Sequence, residues 1–424
     1  MSAKPTLMTL ERAVSHIKNG EKVVLGHAAV TPHIVLEEIF RQRERFSPLH
    51  LFHLIYMDEP LHLAPEMAQH FRVHTPFVSG APMREAVWEG RAEYIPAHFS
   101  RVPRFFSKGG YFEPDWTILQ VTPPDNKGRY NCSLSCDFTL PAARASKHVL
   151  AVINDQLPYI HGDNYLTADQ IDIVVEHSAP PYEAQERAPS PVEQQIALNC
   201  ANLIPDGATL QIGIGAIPDA LLHHLKDRKD LGIHTELLTP GVAELFASGA
   251  ITNRKKGFHN GVMVGSFAVG NRELYEWLDH NPIYEQYPVE HINAPFNISR
   301  NYRMTSVNSC TEVSLAGEVC SERVHGAIYS GTGGQFDYVR GVQYSEGGMS
   351  ILAFPSTAGG GKYSRITPTL SPGNVVTTHR NDVDYLVTEY GVAHLMDRNE
   401  QQRAEALIEI AHPKFREELR ASLK

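Results

Sequence analysis

Apolar residues along this chain fall into runs of two kinds. Trp116-Thr117-Ile118-Leu119-Gln120-Val121 and Val149-Leu150-Ala151-Val152-Ile153 are continuous, β-branched-rich and bounded by Pro-Pro or Asn-Asp, which predicts buried strands. Glu193 to Leu203 instead places its apolar residues at helical spacing, and Thr209 to Ile214 reads as a strand running into a loop at Gly213 and Gly215. Two helices are predicted to close the chain, from Glu400 to Ile410 and from Pro413 to Leu423. Strands alternating with helices in both halves predict the α/β class.

The stretch from His177 to Pro191 carries Pro180, Pro181, Pro189 and Pro191, enough to stop any regular element. A boundary there predicts an N-terminal α/β domain over 1–185 and a C-terminal one over 186–424. The two halves also echo each other. Ile17-Lys18-Asn19-Gly20 through Gly26 and Pro32 matches Ile204-Pro205-Asp206-Gly207 through Gly213 and Pro218, with offsets 207 − 20 = 187, 213 − 26 = 187 and 218 − 32 = 186. Each copy then reaches a short apolar stretch with one histidine, Leu49-His50-Leu51-Phe52 and Ile233-His234-Thr235-Glu236, offset 234 − 50 = 184. That alignment makes Phe52 and Glu236 equivalent, so only the second copy carries a carboxylate where a strand should end. In parallel α/β folds the carboxyl ends of strands are where ligands bind.

Charge and cysteine usage narrow the function classes. The net charge of −10, with no basic run to offset it, argues against nucleic-acid binding. No apolar stretch approaches the length of a membrane span, and the first residues lack a signal-peptide pattern, so the expected location is the cytoplasm. Five cysteines at irregular spacing form no disulfide framework. Cys132 and Cys136 have no matching second pair, and neither His223-His224 nor His27 with His33 has a completing ligand set; no metal is expected.

Three glycine-bearing loops stand in the second half: Gly213-Ile214-Gly215-Ala216-Ile217-Pro218, Ser330 to Asp337 around Gly333-Gly334, and Thr357-Ala358-Gly359-Gly360-Gly361-Lys362. The first superficially suggests a dinucleotide fingerprint, but Pro218 occupies the place of the third glycine. Glycine also lets a backbone approach a ligand and aim N–H groups at negative charge. Three such loops, one ending in Lys362 and Arg365, point to a long anionic ligand and a stabilised oxyanion.

These loops, with His234-Thr235-Glu236, Gly359 to Ile366, Val387-Thr388-Glu389-Tyr390-Gly391-Val392-Ala393, Tyr94 to Ser100 and Gln120 to Asp125, resemble the acetyl-CoA hydrolase/transferase family of class I CoA-transferases. Within it the pattern is most similar to the 4-hydroxybutyrate and butyrate:acetate CoA-transferases. The resemblance implies two related open α/β domains with the active site at their junction, and a catalytic Glu236 that becomes a glutamyl-CoA thioester. It further implies substrate contacts from Gly213, Ile214, Gly215, Asn308 and His27, and CoA contacts from Gly333, Gly334, Gly359, Gly360 and Lys362. Coenzyme A would be a substrate, with no permanently bound cofactor. Acyl-CoA and short-chain carboxylates would be the partners of a homo-oligomer. The chain departs from the family pattern at Ser314, Glu318 and Met396-Asp397-Arg398.

A carboxylate nucleophile suits this chemistry. With reference pKa values of about 4.3 for Glu and 8.5 for a thiol, the first is ionised at neutral pH and the second is a usable leaving group. An acyl-CoA hydrolase would use the same Glu236 and admit water. A non-catalytic CoA-binding sensor would keep the glycine loops for affinity alone and leave Glu236 structural.

Overall fold

The computed structural model describes residues 5–57, 59–185 and 187–423. Two compact units divide the chain: Met1–Gln185 with Val264–Ile292, and Glu186–Met263 with Asn293–Lys424. Val264–Ile292 packs with the first unit through backbone and side-chain bonds: Tyr284–Gln286 runs parallel to His161–Gly162, Gln286 Nε2 donates to Ser133 O at 2.8 Å, and Val289 N donates to Asp137 O at 3.0 Å.

The first unit is built on an eight-stranded, wholly parallel sheet. In chain order its strands are β1 (Thr6–Leu7), β2 (Lys22–Leu25), β3 (Leu49–Phe52), β4 (Phe71–Thr75), β5 (Ala92–Tyr94), β6 (Trp116–Val121), β7 (His148–Ile153) and β8 (Ile173–Glu176). Their spatial order is β1-β8-β7-β6-β2-β3-β4-β5. All six residues of β6 are buried, as expected of a strand covered on both faces.

The second unit repeats most of this plan. Its main sheet is formed by β9 (Thr209–Ile212), β10 (Gly232–Ile233), β11 (Met304–Asn308), β12 (Met349–Ala353), β13 (Tyr385–Thr388) and β14 (Gly391–His394). The order β10-β9-β11-β12-β13-β14 corresponds strand by strand to β3-β2-β6-β7-β8-β1, except that β14 is antiparallel to its neighbour where β1 is parallel. Both copies enter their second-position strand through the same turn, with Gly20 at φ +80° and Gly207 at φ +76°, a conformation glycine adopts without steric cost.

The strand register corrects one sequence-based equivalence. Val23 pairs with Leu51, and its counterpart Leu210 pairs with Ile233, so the offset on the following strand is 233 − 51 = 182. Phe52 therefore corresponds to His234, and Glu236 to Leu54. A slip of two residues keeps every side chain on its own face because strands repeat with period two, so the apolar pattern fits both alignments. The carboxylate still has an apolar counterpart, since Leu54 is a buried leucine.

Local chemistry explains the helix boundaries. The last proline of the linker opens a helix: Pro191–Leu203 begins with proline in its first turn, and Ser190 and Glu193 close a capping box in which Glu193 N donates to Ser190 Oγ at 3.3 Å and Ser190 N to Glu193 Oε2 at 2.8 Å. Asn399 and Gln402 cap Glu400–Ile410 in the same way, and Pro413–Ala421 follows. These two helices supply Leu407, Ile408 and Leu419 to a core with Val313, Leu352, Phe354 and Leu386. Among the described residues no helix is long and apolar enough to cross a membrane.

Candidate active site

At the carboxyl edge of the second sheet the strands release short loops, and these hold most of the polar residues singled out above. β9 ends at Ile212, and Gly213-Ile214-Gly215 turns into the helix Ala216–His224, with Gly215 at φ +115°. A Cβ at Gly213 would meet nothing within 4 Å, and Ile214 is 62% exposed, so this turn presents open backbone. Asn308, the last residue of β11, forms a reciprocal amide pair with Gln211: Asn308 Nδ2 donates to Gln211 Oε1 at 2.9 Å and Gln211 Nε2 to Asn308 Oδ1 at 3.2 Å.

Glu236 follows β10 by three residues and is half-buried between buried neighbours. The backbone that carries it is anchored from two sides. Thr235 Oγ1 donates to Ile212 O at 3.1 Å, and the buried Lys256 ammonium donates to Ile233 O at 2.7 Å and Val262 O at 2.6 Å. His234, fully buried, has Nδ1 3.1 Å from Asn301 Nδ2.

The carboxylate itself lies against Gly334. A Cβ at that position would stand 1.9 Å from Glu236 Oε2 and 2.3 Å from Asn293 Nδ2, so any side chain there would displace the acid. Gly334 is also the N-cap of the helix Gln335–Val342, whose N-terminal partial positive charge favours an anion by about 0.3–1 kcal/mol. Asn293 Nδ2 donates to Glu236 Oε2 at 2.6 Å, and Tyr338 OH, from the same helix, lies 3.4 Å from Asn293 Oδ1. Asn293 and Tyr338 are both fully buried.

The family resemblance implies CoA contacts from Gly333 and Gly334, and the structure brings Gly334 against Glu236. Asn293 was missed altogether; it follows the short helix Val289–Ile292 and sits in no motif. Tyr338 directly follows the Ser330-to-Asp337 loop but carried no assigned role. The remaining glycines form a hairpin: Thr357–Ala358 pairs with Tyr363–Ser364, and Gly359, Gly360 and Gly361 between them take φ of +60°, +66° and +83°. A Cβ at Gly359 would stand 2.9 Å from the Tyr363 ring, while Lys362 is exposed.

His27, in the first unit, directly follows β2 and Gly26. Its side chain is fully buried, its Nε2 bonds Asp137 Oδ2, and its ring packs on Phe138 at 4.8 Å. Asp137 Oδ1 in turn accepts from Phe138 N at 2.7 Å. Cys132 and Cys136 are buried and free, and burial pushes the Cys132 thiol up to about 12. Among the described residues no three His, Cys, Asp or Glu side chains are grouped to hold a metal ion.

Two family descriptions together cover most of the chain: the acetyl-CoA hydrolase/transferase N-terminal domain matches residues 4–182, and the C-terminal domain of the same family matches 270–423. This chain belongs to the acetyl-CoA hydrolase/transferase family. It is 45% identical over 421 residues to the 4-hydroxybutyrate coenzyme A transferase of Clostridium kluyveri, covering 99% of this chain and 98% of that one. It is 39% identical to the succinyl-CoA:cyclohexane-1-carboxylate CoA transferase of Geobacter metallireducens, over 96% of this chain and 94% of the other. Among solved structures, the 4-hydroxybutyrate CoA-transferase of Porphyromonas gingivalis matches with TM-score 0.85 and 40% identity, over 98% of this chain and 97% of that one.

Proposed function

We propose that this CoA-transferase moves CoA between a short-chain acyl-CoA, of the 4-hydroxybutyryl, butyryl or acetyl kind, and a short-chain carboxylate such as acetate, through a glutamyl-CoA thioester on Glu236. The observation that carries the reading is the seat of Glu236: a carboxylate at a helix N-terminus, over a glycine, and held by an amide donor. Such a seat favours the ionised, oriented form that a nucleophile needs. The named activities of relatives at 45% and 39% identity, together with the butyryl-CoA:acetate CoA-transferase of Anaerostipes caccae at 31%, support the substrate class.

The carboxylate attacks the acyl-CoA thioester carbonyl, the C–S bond breaks, and the electron pair leaves on the CoA thiolate, giving a mixed anhydride. The thiolate then attacks the glutamyl carbonyl carbon, and the anhydride C–O bond breaks to release the first carboxylate product. An incoming carboxylate reverses both steps. Thioester energy is conserved throughout. Each tetrahedral oxyanion needs donors, worth roughly 3 kcal/mol apiece; the open turn Gly213-Ile214-Gly215 and the Asn308 amide are proposed to face the acyl carbonyl. Gly333 and the successive left-handed residues Gly359-Gly360, with Lys362 beside them, are proposed to lie along CoA. The expectation of a cytoplasmic homo-oligomer belongs to the same proposal, and light scattering of the purified protein measures its assembly state.

Intact-protein and peptide mass spectrometry after incubation with butyryl-CoA or acetyl-CoA tests the mechanism. The peptide bearing Glu236 is expected to gain the mass of CoA less water, and hydroxylamine to discharge it. Labelling of any other peptide, or none, would sink the covalent route. Thioester loss without an acceptor at a rate comparable to exchange would move the assignment to hydrolysis.

A further inference from the structure

We propose that Lys414 is a positioning residue for CoA: its ammonium latches the tip of the glycine hairpin 357–364 to the C-terminal helix and keeps that hairpin in the shape that receives the ligand. The inference rests on the reading that this hairpin lies along CoA. Left to itself the hairpin is weak. Its strands are two residues long, Thr357 pairing with Ser364 and Ala358 with Tyr363, and an isolated two-stranded ribbon has little stability of its own. The turn between them is three successive glycines, and a Cβ at Gly360 or Gly361 would meet nothing within 4 Å. Glycine loses more conformational freedom on ordering than any other residue, so the tip depends on a bond from outside the hairpin.

Two braces supply such bonds. At the root, Ser356 N donates to Glu389 Oε2 at 2.9 Å and Ser356 Oγ to Glu389 Oε1 at 2.6 Å, while Arg365 N donates to Ser356 O at 2.9 Å. At the tip, Lys414 Nζ donates to Gly361 O. Lys414 stands in the first turn of the helix Pro413–Ala421, whose cap His412 accepts from Lys414 N at 3.3 Å. That helix also meets the root brace: the ring of Tyr390, next to Glu389, lies 5.4 Å from the His412 ring, and the Arg416 guanidinium stands 5.6 Å over it. Root, helix and tip therefore form a closed circuit, and the Lys414 ammonium closes it with a charge-assisted bond, stronger than a neutral one. With the latch closed the hairpin is ordered before the ligand arrives. Without it only a fraction of molecules carry the receptive shape, and the apparent affinity falls by that fraction. Gly361 and Lys414 are 53 residues apart, so the latch exists only in the fold.

Hydrogen exchange read by mass spectrometry on peptides spanning 357–364 tests the inference on the full chain, alongside steady-state kinetics and a thermal melt. Lys414→Met removes the ammonium and keeps the aliphatic stem. It is expected to speed exchange at the hairpin tip in the free protein, to raise the KM for acetyl-CoA or butyryl-CoA by roughly three- to tenfold, and to leave kcat and Tm unaltered, because the latch acts on binding and not at the reacting atoms. Lys414→Arg keeps a charged donor and should stay within about twofold of wild type in each measurement. Wild-type exchange in Lys414→Met overturns the latch. Faster exchange with an unchanged KM overturns the positioning role, as does a loss confined to kcat, and an Arg variant no better than the Met variant overturns the charged bond as the cause. Added CoA is expected to slow exchange of the wild-type hairpin. If it does not, the placement of the hairpin along CoA fails and the positioning role with it, while labelling of the Glu236 peptide decides the nucleophile independently.

Discussion

Gly334 makes room for Glu236: a Cβ at the glycine would stand 1.9 Å from the carboxylate oxygen Oε2, far inside van der Waals contact. The backbone at Gly334, with φ −88° and ψ −4°, is open to any residue. The requirement for glycine comes from the carboxylate and from Asn293 Nδ2, which would lie 2.3 Å from the same Cβ. Gly334→Ala is therefore expected to fold with little change in Tm while displacing the acid by about 1 Å, an error worth on the order of 100-fold in kcat. Steady-state transfer assays and a thermal melt on the same preparation check this; wild-type turnover would show that the carboxylate works from another position.

Removing the anion should abolish transfer. Glu236→Gln keeps shape and loses charge, and is expected to lower kcat by several orders of magnitude with CoA affinity nearly unchanged. Glu236→Asp draws the carboxylate back by one methylene and should cost about 100-fold. More than a tenth of wild-type activity in the Gln variant, measured with freshly purified protein to exclude deamidation, rejects the assignment.

Kinetics should follow the covalent route. Initial rates with acyl-CoA and acetate are expected to give parallel double-reciprocal lines, with thioester loss in the absence of acceptor far slower than exchange. Monocarboxylates of about two to four carbons should serve as acceptors and long-chain acids should fail, since recognition rests on the carboxylate and a short tail. Intersecting lines would point to a ternary complex instead.

Acid should destabilise the first unit through two histidines. His53 Nε2 and His62 Nε2 lie 2.8 Å apart in a fully buried pair. Burial, and secondarily the neighbouring His27, lowers the His53 pKa to about 3, and burial followed by His53 lowers that of His62. The unfolded chain protonates each near 6.5 while the folded unit resists, so below that pH the unfolded state binds more protons. Stability is then lost as pH falls below about 6.5, and for His53 the loss continues toward 3 at roughly 1.4 kcal/mol per pH unit. Urea denaturation at pH 7 and pH 5 should show a smaller difference for His53→Leu than for wild type; an equal difference in the two proteins would dissociate the pair from acid sensitivity.

The alternation of strands and helices, the internal duplication and the unmatched carboxylate at Glu236 were all legible in the sequence. Each is written in short-range pattern: apolar periodicity, the Asn19-Gly20 and Asp206-Gly207 turns, and the Ser190-to-Glu193 cap. Such signals act over a few residues, where backbone geometry and solvent exposure constrain residue type directly. Tertiary structure decided three further things. It set the strand register, pairing Glu236 with Leu54 because a period-two pattern is blind to a slip of two. It assigned Val264–Ile292 to the first unit, through hydrogen bonds to Ser133 and Asp137 that no linker composition announces. And it brought Asn293, Gly334 and Tyr338 to the Glu236 carboxylate from distant points in the chain. The entropy of closing a loop rises only slowly with its length, so a partner can be recruited from almost any sequence separation and leaves no spacing by which it can be read.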